Sequence, residues 1–185
     1  SCQNLPEAHI LLQIIKLSVQ TAAPGMALLG EAIVAPKEIM KYFGIDRFYG
    51  KECDIAYNAT QMALQWDALA SGDVRIMYAS QHDILQKPKG CTWINYTRCH
   101  DDIGLGYEDK MIRSVGFDPY HHRMFIKKYY SGEYPSSASK GALFGVNEAT
   151  NDARISGSLA SLCGLEKAIE CDDKAHIAQS IDKII

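Results

Sequence analysis

Four consecutive residues, Cys99-His100-Asp101-Asp102, close an apolar run that begins at Trp93. Trp93, Ile94, Tyr96 and Thr97 are residue types that pack well on a pleated surface, and Gly104 lets the chain turn just beyond them. An imidazole and two carboxylates at the carboxyl end of a parallel strand can exchange protons with a substrate or hold its polar groups. Two adjacent carboxylates repel one another and need a reason to be kept together. The rival reading is a capped turn in which Asp102 bonds local backbone amides. A second acid, Glu31, stands alone near the end of the apolar run Met26–Val34. From spacing alone such an acid is more often a solvated strand end.

Other chemistries find less support. His121 and His122 are adjacent, which suits a shared ion poorly, and no His-x-x-x-His spacing exists, so no metal site is expected. There is no Gly-x-Ser-x-Gly turn and no cysteine signature for a nucleophile. No glycine-rich phosphate loop follows a strand, so no nicotinamide, flavin or nucleotide cofactor is expected.

The elements that must position these residues alternate. Leu5–Ala23 reads as a helix, with Asn4 able to cap it and Pro6 in its first turn. Ala8, Leu11, Leu12, Ile15, Val19 and Ala22 form one apolar stripe. Pro24-Gly25 stops it, and Met26–Val34 follows as a buried strand without alternation. A second helix spans Pro36–Phe43 with Gly44 past its end, then comes a short strand over Asp54–Asn58. Helices over Thr60–Ala70 and Asp73–Leu85 lead through Lys87-Pro-Lys-Gly90 into the strand that begins at Trp93. This order predicts parallel βα units with helices outside a sheet. Residues 104–154 break the rhythm and read as a long, mostly irregular insertion with a short helix near His122–Tyr130 and an exposed loop at Ser136–Ser139. Two amphipathic helices, Ser156–Ala168 and Lys174–Ile185, close the chain.

Length and composition fit one ordinary globular domain: 185 residues, 47% apolar and 22% charged. A net charge of −3 argues against nucleic acid or an anionic membrane as partner, and no apolar run has bilayer-spanning length. The six cysteines, Cys2, Cys53, Cys91, Cys99, Cys163 and Cys171, form no Cys-x-x-Cys pair and read as free thiols of a reducing compartment. A cytoplasmic location is therefore expected, with a secreted parent as the alternative. Two glycosylation sequons, at Asn58 and Asn95, lie in or beside strands and read as chance.

Several blocks carry a resemblance. Gly30-Glu-Ala-Ile-Val-Ala-Pro36, Glu52-Cys-Asp-Ile-Ala-Tyr-Asn58 and Asn95-Tyr-Thr-Arg-Cys-His-Asp-Asp-Ile-Gly104 resemble successive blocks of the amylosucrase branch of glycoside hydrolase family 13. Ser1–Pro6, Gln61–Leu64, His122-Arg123 and Ala153–Gly157 agree with it in the same order. The resemblance implies an α/β fold, part of a TIM-type (β/α)8 barrel. Residues 1–103 and 155–185 would supply about strands five to seven with their helices, and 104–154 a long insertion after strand seven.

It also implies cleavage of an α-glucosidic bond with retention, by a carboxylate nucleophile and a carboxylic acid about 5–5.5 Å apart. Glu31 matches the general acid and base. Asp101 matches the carboxylate that stabilises the oxocarbenium-like transition state, and His100 the histidine that donates to the same sugar ring. Asp102 and Arg154 match positions that shape the acceptor subsite. The family's nucleophilic aspartate lies on the preceding strand, which has no counterpart here. The chain is therefore expected to be a segment, inert alone, that binds a small sugar and self-associates through open barrel edges. After Gly104 it reads Leu-Gly-Tyr-Glu-Asp-Lys where amylosucrases usually carry an aromatic, and residues 131–145 also differ. Starch- or maltose-type hydrolysis, or carbohydrate binding without turnover, are the alternatives.

Overall fold

Proline and glycine punctuate the first half of the chain where the sequence places them. Helix α1 (Pro6–Ala22) carries proline in its first turn and ends before Pro24-Gly25. Strand β1 (Leu29–Gly30) leads to α2 (Pro36–Ile39), which tightens into a 3-10 turn at Met40–Phe43. Gly44 ends that turn at φ 100°, where an added Cβ would strike the Phe48 carbonyl. Strand β2 (Ile55–Tyr57), helices α3 (Ala59–Ser71) and α4 (Arg75–Ile84) and strand β3 (Thr92–Ile94) follow. The computed structural model describes residues 3–185, so Cys2 lies outside the described residues. It divides into two compact units: Ser1–Gln61 with Ser80–Tyr96, and Met62–Ala79 with Thr97–Ile185.

The first unit is built on a three-stranded parallel sheet in the order β1-β2-β3, with Gly30 beside Ala56 and Ala56 beside Trp93. Ile39, Tyr42, Phe43, Ala56 and Cys91 form its buried core, and Leu12, Val34 and Trp93 pack against it. The Phe43 and Trp93 rings meet edge to face at 5.2 Å.

Three expectations change here. The strand predicted over Met26–Val34 pairs only at Leu29–Gly30, and Met26, Leu29 and Ile33 are exposed. As an edge strand, β1 has one open side and so does not behave as a fully buried strand. Asn4 does not cap α1, whose N-cap is Leu5; Asn4 Nδ2 donates instead to Glu38 Oε2 at 2.8 Å. The apolar stripe of α1 is only partly its inward face: Leu12 packs against the core, but Leu11 and Ile15 are exposed. His9 Nδ1 pairs with the fully buried Glu52 at 2.7 Å, Gln13 Nε2 donates to the same carboxylate at 2.9 Å, and Lys16 Nζ donates to Asp54.

The second unit orders the segment read as an irregular insertion. Helices α5 (Asp109–Ser114) and α6 (Pro119–Ser131) are followed by an antiparallel hairpin of β4 (Ala142–Asn147) and β5 (Asp152–Ser156). Helix α6 is longer than the short helix expected because the Asp118 side chain caps it, accepting from the His121 amide, and Gly132 closes it in the left-handed region. The loop at Ser136–Ser139 is only partly exposed: Ser137 and Ser139 are buried, donating to the Tyr129 and Leu162 carbonyls. The helix expected over Ser156–Ala168 is two, α7 (Leu159–Cys163) and α8 (Leu165–Glu170), because Gly164 at φ 89° interrupts it. Helix α9 (Lys174–Ile184) is capped by Asp173. No helix among the described residues is long and apolar enough to cross a membrane.

All five described cysteines are free. Cys53, Cys91 and Cys163 are buried, Cys99 half-buried and Cys171 exposed. Burial, reinforced by the Glu52 and Asp54 carboxylates, pushes the Cys53 thiol up to about 11. Among the described cysteines, a thiol reagent at neutral pH should therefore label Cys171 first and Cys99 more slowly, with Cys53, Cys91 and Cys163 reacting only after denaturation. Mass spectrometry of the labelled peptides reads the order, and early labelling of Cys53 would contradict the packing of the first unit.

Candidate functional site

Parallel strands present their carboxyl ends on one edge of a sheet, and ligands of open α/β sheets bind beyond that edge. In the first unit the residues that step off this edge are Glu31 after β1, Asn58 after β2 and Asn95 after β3. Glu31 is exposed and directly follows the last paired residue, Gly30. Gly30 is confined by its neighbours, because an added Cβ would sit 2.9 Å from Cys53 Sγ.

Asn58 is buried and fully used. Its Nδ2 donates to the Ile84 carbonyl at 3.2 Å and to Asn95 Oδ1 at 3.1 Å, and its Oδ1 accepts from the Gln61 amide, capping α3. The rings of Tyr57 and Tyr96 meet at 5.2 Å on the same pair of strands. Reading the sequence for acids passed over this Asn58–Asn95 link. The signal that could have found it was an asparagine directly after each strand candidate. Burial of Asn58 agrees with reading its sequon as chance.

The second unit holds the remaining residues on the loop Thr97–Asp102. Trp66 Nε1 donates to the Thr97 carbonyl at 2.8 Å, fixing where the loop starts. Arg98, which the sequence did not single out, spans it: Nε donates to the Gly157 carbonyl at 2.9 Å and Nη1 to the Asp101 carbonyl at 2.7 Å. The far end is held by Ile103 and Ile155, which exchange two backbone hydrogen bonds of 2.8 and 3.0 Å and are both fully buried. Side chains alternate across extended chain, so Asp102 and Arg154, each next to one of these isoleucines, fall on the outer side.

His100 is exposed, Asp101 and Asp102 are half-buried, and Arg154 is exposed on β5. His100 Nε2 lies 3.6 Å from Asp101 Oδ1. The loop thus carries His100, Asp101 and Asp102 close in sequence and space, with Arg154 beside the isoleucine bridge, whereas Glu31 belongs to the other unit. Cys99, His100 and Asp101 also offer one ligand atom each within 4.8 Å of one another, a cluster the sequence reading did not foresee. Three consecutive residues are a cramped set for a tetrahedral ion.

The second unit also holds a buried polar network. The Asp67 carboxylate of α3 accepts from the Tyr107 hydroxyl and pairs with His122 Nε2 at 2.7 Å. Phe117 stacks on the His122 ring at 5.1 Å. Arg123 Nε, Nη2 and Nη1 donate to the Leu105 carbonyl, the Tyr107 carbonyl and Asp109 Oδ1. Burial, then the Asp67 charge, drives the Tyr107 hydroxyl well above its ordinary range. His122-Arg123 therefore acts as an anchor for residues 105–109.

No known family profile matches the chain. Among curated proteins it is 26% identical over 105 residues to a glucosylglycerate phosphorylase of Escherichia coli strain K12, covering 57% of this chain and 18% of that protein. It is 36% identical over 108 residues to a trehalose synthase/amylase of Mycolicibacterium smegmatis, covering 57% of this chain and 18% of the relative. To the trehalose synthase/amylase of Mycobacterium tuberculosis strain H37Rv it is 38% identical over 58 residues, covering 31% of this chain and 10% of the relative. The chain thus spans less than a fifth of the length of these relatives. The partial similarities support the α-amylase superfamily as the surrounding group and do not single out its amylosucrase branch.

Proposed function

We propose that this chain is part of the catalytic barrel of a retaining, α-glucoside-active enzyme of the α-amylase superfamily, with sucrose as glucosyl donor in the manner of amylosucrases. The observation that carries the reading is the position of Glu31, the first residue past β1 in a parallel sheet whose strands lie in chain order. In this reading residues 1–103 and 155–185 are barrel strands five to seven with their helices, and 104–154 an excursion after the seventh. Glu31 protonates the leaving oxygen and then activates the incoming hydroxyl. Asp101 stabilises the oxocarbenium-like transition state and His100 donates to the same ring. Asp102 and Arg154 face the acceptor. The nucleophilic carboxylate comes from a strand outside these 185 residues, and the segment alone does not turn over.

One observation favours a second donor. The 36% identity to a trehalose synthase/amylase over 108 residues supports an α-linked glucose disaccharide such as trehalose in place of sucrose. The test compares this chain with one extended at both ends to complete the barrel, each given sucrose, trehalose or maltooligosaccharides, with and without inorganic phosphate. Glucose and fructose release from sucrose by the extended chain alone is the expected result. Trehalose turnover would establish the second reading. Phosphate-dependent glucosyl transfer would mean a phosphorylase. Saturable binding without turnover would mean a binding module, and turnover by the 185 residues alone would place a nucleophile among them.

A further inference from the structure

Helix α1 turns both kinds of residue inward: Leu12 packs against the core, while His9, Gln13 and Lys16 reach the Glu52 and Asp54 carboxylates, and Lys16 is itself buried. At 100° per residue, Leu11, Ile14 and Ile15 lie on the opposite side of the helix, and Ile10 and Leu17 extend that face along one flank. They are 53%, 60%, 54%, 48% and 63% exposed. The helix cannot roll to bury them without pulling His9 off the buried Glu52 and the buried Lys16 off Asp54, a costly exchange. An aliphatic face of this kind, held outward by ion pairs, marks an interaction surface.

We infer that this face binds a second copy of the chain, through an isologous antiparallel pairing of the two α1 helices. The face carries no charge between Ile10 and Ser18 on its outer side, so two copies meet without repulsion. Counting about 200 Å² for each fully exposed side chain, the five offer on the order of 550 Å² per copy. Two copies bury about 1,100 Å², past the ~1,000 Å² that a specific interface should clear. Antiparallel pairing about a two-fold axis at Ile14 sets Ile14 of one copy against Ile14 of the other and Leu11 against Leu17. The inference does not depend on the sugar chemistry, and it places self-association on a helix face and not on a strand edge.

Sedimentation of the intact chain over a concentration series tests it. A discrete monomer–dimer equilibrium is expected, with Ile14→Glu raising the dissociation constant about 100-fold or more. The circular dichroism spectrum should be unchanged, because the side chain points outward. An independent check is cross-linking of Ile14→Cys under mild oxidant. In a background with Cys2 and Cys171 replaced by serine, this variant should dimerise covalently, whereas Gln20→Cys in the same background should not. A wild-type chain still monomeric at about 200 µM, a dimer indifferent to Ile14→Glu, or open-ended aggregation would each overturn the proposal. Flotation of a monomeric chain with phosphatidylcholine vesicles would assign the face to lipid instead.

Discussion

Glu31→Gln, in a chain completed at both ends, is expected to lose about 10²–10⁴-fold of its turnover of an unactivated α-glucoside. The amide keeps the size of the side chain and removes its proton chemistry, so saturable binding of the donor should survive. The loss should depend on the leaving group. Bond cleavage in an aryl glucoside with an acidic phenol needs little protonation, so formation of the covalent intermediate should be much less impaired for that donor than for sucrose. An equal loss on both donors would show that Glu31 does not act as the acid. Unchanged turnover would leave it the solvated strand end that its spacing alone describes. Because Glu31 is exposed and directly follows an edge strand, the substitution should not disturb folding, and an unchanged melting curve is part of the expected result.

Asp67→Ala should be the most damaging single substitution in the second unit. Asp67 is 1% exposed, and its carboxylate serves both the Tyr107 hydroxyl and His122. Removing it strands a buried hydroxyl and a buried imidazole and opens a void, so a loss of about 3–5 kcal/mol is expected. Against the roughly 5–15 kcal/mol of a typical domain, that is enough to populate the unfolded state on warming. Asp67→Asn should recover part of the loss, since one oxygen, Oδ2, serves both partners and the amide oxygen can take its place. Chemical denaturation of the three proteins measures the order. If Asp67→Ala falls within 1 kcal/mol of wild type, a scale set by solvent-screened surface pairs, the network is not holding residues 105–109.

Alkali probes the same network. The folded-state value of Tyr107 lies well above the ordinary 10.0, so the folded form holds that proton more tightly than the unfolded one. The associated stability is fully present below about pH 10 and falls as pH rises beyond it.

The alternation of helix and strand was legible because its punctuation is local. Pro6, Pro24-Gly25, Pro36, Gly44 and the Lys87–Gly90 turn fix ends by φ restriction or missing donors, whatever packs nearby. Glu31 was legible as a strand-end acid for the same reason. What stayed hidden depended on distant partners. The direction in which α1 faces is decided by Glu52 and Asp54, some forty positions later, and a stripe of aliphatic residues gives no warning that the polar side will turn inward. The pair joining Asp67 to His122 spans 55 positions. The β4–β5 hairpin was masked because Gly145 interrupts the run Ala142–Val146, though Asn151, at φ 53°, and its polar neighbours are ordinary turn chemistry. Arg98 was missed because its partners are backbone carbonyls, which leave no trace in composition.

The two hydrogen bonds between Ile103 and Ile155 act as the neck of a pouch. Everything from Gly104 to Arg154 departs from and returns to one pinned point, while Asp67 and the Trp66 carbonyl hold its interior to α3. Doubling a flexible turn costs only about 0.6 kcal/mol of closure entropy, so the exposed turn at 148–151 is where its length can change. The neck therefore keeps both ends of the excursion at one point of the second unit while that turn is lengthened or exchanged.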